Sequence, residues 1–132
     1  LYINDDYVFT QNSDGLIVSS PTGSTAYALS AGGPIMHPSL NAIALVPMFP
    51  HSLSSRPLVV PADDEIRIVI GHASGVDATV SFDSHQEFNI AAGDSLVIRK
   101  KQERLLLVHP PGHSFYGICR SKLDWATSSI SR

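Results

Sequence analysis

The residues Ser19 to Tyr27 read SSPTGSTAY and follow the apolar run GLIV at Gly15 to Val18. Hydroxyls crowd this stretch. Gly23 permits close approach of a ligand to the backbone, and Ser24 is placed to cap a helix. The first amides of that helix are unpaired donors with partial positive charge, which suits the polar edge of a ligand. Thr22 and Thr25 add side-chain hydroxyls, and Tyr27 offers a flat ring on which a base can stack. Asp14, just ahead of the apolar run, can accept hydrogen bonds from a sugar diol or an amide. Such charge-assisted bonds are worth about 1.5–3 kcal/mol. The same residues also allow a plain structural reading: Asp14 in a turn, Pro21 stiffening the entry to a helix, and Tyr27 filling a gap. Neither a Gly-Lys-Ser/Thr phosphate loop nor a GxGxxG dinucleotide fingerprint occurs.

The elements that would position these groups are mostly short strands. Leu1 to Ile3 and Tyr7 to Thr10 flank Asn4-Asp5-Asp6 and predict a hairpin. Gly15 to Ser19 predicts a strand buried on both faces. A helix of about two turns is expected next, ended by Gly32-Gly33-Pro34. Further strands are predicted at Ala42 to Val46, Pro57 to Val60, Glu65 to Ile70, Ala78 to Phe82, Ser95 to Lys100 and Arg104 to His109. A terminal helical turn is expected at Ser121 to Trp125, with fraying from Ser128 to Arg132. Strands at this spacing indicate a mainly β, sandwich-like fold.

Composition narrows the function classes. With 132 residues and 43% hydrophobic content, one core is expected, and only 16% of residues are charged. A formal net charge of −3 leaves no basic field for duplex nucleic acid, so none is expected as a partner. No run approaches the roughly 20 apolar residues of a membrane span, no signal peptide opens the sequence, and the expected location is the cytoplasm. The lone Cys119 precludes an intramolecular disulfide. His109 and His113 are separated by Pro110-Pro111-Gly112, which denies them a shared helical face, and no metal site is expected. Leu1 in place of Met, already inside strand-like sequence, suggests a piece of a longer chain.

The run Asp14-Gly15-Leu16-Ile17-Val18-Ser19-Ser20-Pro21-Thr22-Gly23-Ser24-Thr25-Ala26-Tyr27, continued by Leu29-Ser30-Ala31-Gly32-Gly33-Pro34, closely resembles the central signature of bacterial NAD kinases. The likeness continues through Pro47-Met48-Phe49-Pro50-His51-Ser52-Leu53 and Arg56-Pro57-Leu58-Val59 to Lys122-Leu123-Asp124-Trp125, covering nearly the whole chain. It implies the C-terminal, β-sandwich-like domain of the NAD kinase/diacylglycerol kinase-like fold, with one or two short helices. Residues 1–132 would then form a single β-rich NAD-binding and oligomerisation domain, without the N-terminal α/β domain of a two-domain kinase.

The resemblance further implies that the parent enzyme moves a phosphate from ATP or polyphosphate, with Mg²⁺ or another divalent cation, to the adenosine ribose 2′-hydroxyl of NAD, making NADP. By that likeness, Asp14, Thr22, Thr25, Ala26, Tyr27, Ala28, Leu29, Ser30 and, most weakly, His85 are NAD-binding, with Asp14 on the ligand's amide or ribose groups, often from a neighbouring subunit in this family. The family's Gly-Gly-Asp-Gly-Thr motif is missing from this sequence. No catalytic residue is therefore expected here, and the isolated chain is expected to be inactive. Asn12 stands where relatives often carry Arg, which leaves open any phosphate contact made by that arginine. A homodimer or homotetramer is implied. Two other readings are a lipid or other alcohol kinase of the same superfamily and a non-catalytic β-sandwich module for ligand binding or assembly.

Overall fold

Asn4 and Asp5 take left-handed backbone, with φ of 49° and 65°, and turn the strand β1 (Tyr2–Ile3) back on β2 (Asp6–Tyr7). Short polar side chains tolerate that geometry, so the predicted turn forms, but the second strand is Asp6–Tyr7 and not the Tyr7 to Thr10 run expected from the sequence. The computed structural model describes residues 1–72 and 78–125. The chain divides into two compact units, Leu1–Lys100 and Lys101–Arg132, at a point that no linker marks in the sequence.

In the first unit, β3 (Gly15–Ser19) leads to a 3₁₀ turn at Thr22–Thr25 and to α1 (Tyr27–Ser30). The strands β4 (Ala42–Met48), β5 (Leu58–Pro61), β6 (Ile66–Val69), β7 (Ala78–Phe82), β8 (Gln86–Ile90) and β9 (Ser95–Ile98) follow. They form three antiparallel sheets, ordered β2-β1-β6-β9, β3-β4-β5 and β7-β8. Residues of the first two sheets enter one buried cluster, with Leu1 and Ile66 on one side and Leu45 and Val60 on the other. Two sheets that share a core in this way form a sandwich, and the expected mainly β architecture is borne out.

A second cluster lies beneath the hydroxyl-rich segment: Ala28, Met36, Ala44 and Val46. Alternate residues of β4 thus serve two cores, because successive side chains point to opposite faces of a strand. Pro47 continues β4 opposite Leu16, beyond the last pair with β5 at Leu45 and Leu58. Among the described residues only β3 flanks it there, the edge position at which a strand tolerates a missing N–H.

Two sequence expectations need correction. Arg104 to His109 forms no strand: Leu105, Leu106 and Val108 are 84–86% exposed. Strand propensity reports how well a side chain packs on a partner, and among the described residues no strand pairs with this run. The helix expected at Ser121 to Trp125 instead spans Phe115–Lys122 (α2), capped by the Ser114 hydroxyl, which accepts from the Gly117 amide at 3.1 Å. The strand β8 was not foreseen, because QEFNI carries little apolar signal. The expected fraying of Ser128 to Arg132 lies outside the described residues.

Candidate functional site

The segment after β3 doubles back over its own strand. Thr22 to Thr25 make one 3₁₀ turn, Ala26 leaves helical geometry (φ −102°, ψ −128°), and Tyr27 to Ser30 make one α-helical turn. The predicted two-turn helix is therefore broken in the middle. Gly32 ends it with φ of 84°, and the Gly33 amide donates to the Ala28 carbonyl at 2.8 Å. Only glycine fits at position 33, since a Cβ would lie 2.7 Å from the Ala28 carbonyl oxygen and 2.8 Å from Val46 Cγ2.

Ser24 is not the cap that its place in the sequence suggested. It caps neither turn, and it is fully buried. Its hydroxyl donates to the Pro21 carbonyl at 2.6 Å and accepts from the Met36 amide at 2.9 Å. A buried amide costs free energy unless paired, and Ser24 pairs this one across a loop of about a dozen residues. Both hydrogen bonds and the apolar cluster below them turn the same side of the segment inward.

The opposite side faces out. Thr22, Thr25, Ala26, Tyr27 and Ser30 are exposed, Leu29 is half-buried, and Ala28 points its methyl group into the core. Ala28 thus enters the wall through its backbone alone. Tyr27 is 61% exposed, and its hydroxyl donates to Met48 Sδ at 3.8 Å. Met48 pairs with Gly15 in the β3–β4 ladder, and its carbonyl accepts from the Asp14 amide at 3.0 Å. This links Asp14 and Tyr27 through Met48, although they lie at opposite ends of the segment in sequence. The Asp14 carboxylate is exposed.

Phe49 was read in the sequence only as part of a longer family stretch. The structure gives it φ of 43° and leaves it 75% exposed directly after Met48. A bulky residue in left-handed backbone carries strain of about 1–3 kcal/mol, an unusual setting for an exposed aromatic ring. No local signal announced it: a residue before proline favours extended backbone, not the left-handed conformation found here.

His85 stands apart from this group. It sits in the turn between β7 and β8, where Asp83 and Ser84 have φ of 48° and 60°, and its amide donates to the Phe82 carbonyl. Among the described residues no hydrogen bond joins it to the Thr22–Ser30 wall. The rings of His109 and His113 do meet, stacked at 3.7 Å, through a turn rather than a helix. Among the described residues no three His, Cys, Asp or Glu side chains are grouped to hold a metal ion. No helix among them is long and apolar enough to cross a membrane.

Comparison with known proteins agrees with this geometry. A family model described as the ATP-NAD kinase C-terminal domain matches residues 1–110. The chain is 59% identical over 128 residues to the NAD kinase of Hahella chejuensis, covering 97% of this chain and 43% of that protein. Against the NAD kinase of Teredinibacter turnerae it is 54% identical over 127 residues, covering 96% and 43%. It therefore spans less than half the length of these curated relatives. Among solved structures, yeast NADH kinase complexed with NADH aligns at a TM-score of 0.67 and 38% identity, covering 73% of this chain and 27% of that one. An NAD kinase from Archaeoglobus fulgidus in complex with ATP also aligns at 0.67, with 30% identity over 76% of this chain and 37% of its own. A family model matching most of the chain, joined to a β-sandwich with the signature segment folded over β3, places this chain in the ATP-NAD kinase C-terminal domain family.

Proposed function

We propose that this chain supplies the substrate wall of an enzyme that phosphorylates the adenosine ribose 2′-hydroxyl of NAD to make NADP. The observation that carries the reading is the outward face of Thr22 to Ser30, an exposed tyrosine ring flanked by free-facing hydroxyls and fixed from behind by Ser24 and Ala28. Tyr27 would stack on a ring of the dinucleotide, and Thr22, Thr25 and Ser30 would bond its polar edges. Asp14 would accept from a ribose diol or the carboxamide, within the same site or across a subunit boundary. His85 would reach the ligand from the β7–β8 turn.

In the transfer, the 2′-oxygen attacks the terminal phosphorus of ATP or polyphosphate. The bond from that phosphorus to the leaving phosphate breaks, and the hydroxyl proton passes to a base. This chain contributes position and orientation to that step. The base belongs to the Gly-Gly-Asp-Gly-Thr motif of the family, which this sequence does not contain. Among the described residues no carboxylates are grouped for a metal, and a divalent cation in the parent enzyme would neutralise charge on the transferring phosphate. Cytoplasmic location and a homodimer or homotetramer complete the proposal.

The test is NADP formation by the full-length parent with NAD, ATP or polyphosphate, and Mg²⁺, beside the same protein carrying Asp14→Ala. Activity that falls at least about tenfold in the variant supports the reading. A folded parent that makes no NADP with either donor contradicts it and favours a non-catalytic binding module.

A further inference from the structure

Ser24 lies one residue before the exposed Thr25-Ala26-Tyr27 run, yet none of its own surface reaches solvent. It cannot touch a ligand on the outer face. Among the described residues, its hydroxyl is instead the side-chain group that bridges the two ends of the Pro21–Met36 segment, joining the Pro21 carbonyl to the Met36 amide. Met36 in turn is buried against Ala28, Ala44 and Val46, so the hydroxyl ties the wall to the core under it. Neighbouring groups leave the clasp little room. A Cβ on Gly23 would stand 2.9 Å from Ser19 Oγ, and one on Gly33 would strike Ala28 and Val46.

From this geometry we infer that Ser24 is a positioning residue for dinucleotide binding, acting through Tyr27 and Thr25 rather than by contact. The inference rests on the substrate-wall reading above. Without the hydroxyl, the Met36 amide loses its partner and the 3₁₀ turn is released from the residues that follow Gly33. The break at Ala26, which sets the direction of Tyr27, then has one anchor fewer. A ligand that needs the ring and the hydroxyls in one arrangement must order them on binding, and affinity falls accordingly. A phosphate donor bound outside this wall is not affected by that loss.

The experiment uses the full-length parent as wild type, Ser24→Ala, and Val60→Ala as a control that weakens the other core cluster without touching the clasp. Steady-state kinetics with NAD and ATP are read beside amide exchange at Met36. In Ser24→Ala, KM for NAD is expected to rise about tenfold, the scale of one buried hydrogen bond, with KM for ATP within about twofold of wild type. Exchange at the Met36 amide is expected to accelerate. Val60→Ala should leave both KM values near wild type while unfolding earlier. An active parent in which Ser24→Ala keeps the wild-type KM for NAD, or in which Val60→Ala raises it equally, overturns the inference alone. A wild-type parent that makes no NADP overturns the kinase reading and, with it, the assignment of Ser24. Should Ser24→Ala fail to fold, Ser24→Cys keeps a side chain of similar shape with a weaker acceptor for the Met36 amide; a wild-type KM for NAD there together with fast Met36 exchange also overturns the role.

Discussion

The Ser19–Met36 segment and the Arg104–Ser114 segment both connect longer regular elements, but they are held in opposite ways. The first is tied by a buried serine, two close-packed glycines and an apolar cluster. In the second, Leu105, Leu106 and Val108 stay exposed, and its contacts are local ones such as the histidine stack, the Pro110–His113 turn and the Ser114 cap. Apolar content alone does not decide order. The first segment contributes few large apolar side chains and is nonetheless fixed, because small residues let the backbone approach the core closely enough for hydrogen bonds to be made out of water.

Substitutions can break this contrast. The largest effect is expected at the shared floor of the sandwich, where Leu45→Ala should destabilise the chain by about 2–5 kcal/mol in denaturant unfolding. Gly33→Ala should follow at about 1–3 kcal/mol, because the atoms its Cβ meets include backbone. At the other segment, Ser114→Ala should cost about 1 kcal/mol, read as faster amide exchange at Gly117 and Ile118. Leu106→Ser should change stability by no more than about 0.5 kcal/mol, since an 84% exposed side chain has little burial to lose. If Leu106→Ser instead matched Gly33→Ala, the two segments would not differ as described.

Much of the fold was legible because burial leaves an apolar trace. The strands β3, β5, β6, β7 and β9 fall at or within one or two residues of their apolar runs, and Asn4-Asp5 announced its turn by residue type. β4 ran two residues past its expected end because Pro47 suggested a stop, whereas an edge position accepts proline. β8 was invisible since both its faces are largely exposed, which removes the alternation that marks a strand. Arg104 to His109 misled in the other direction: its residues favour strands, but strand formation depends on a partner that local sequence does not name.

In the site, Tyr27, Thr22 and Thr25 were readable from residue type and spacing. What spacing could not supply was the direction of each side chain. Ser24 has the sequence position of a cap and the structural role of a clasp, a difference fixed by Met36 twelve residues away. Ala28 sits inside the signature yet faces the core. The link from Asp14 through Met48 to Tyr27 depends on strand register, which pairs Gly15 with Met48 across a long connection.

The central claim is that the outward face of Thr22 to Ser30 binds the dinucleotide, and titration of NAD into the full-length parent carrying Tyr27→Ala tests it most directly. Loss of a stacking ring of this kind should weaken NAD binding by about tenfold or more, with thermal unfolding of the variant close to wild type because Tyr27 is largely exposed. Unchanged NAD affinity in a folded Tyr27→Ala protein would contradict the account and place the dinucleotide on another surface.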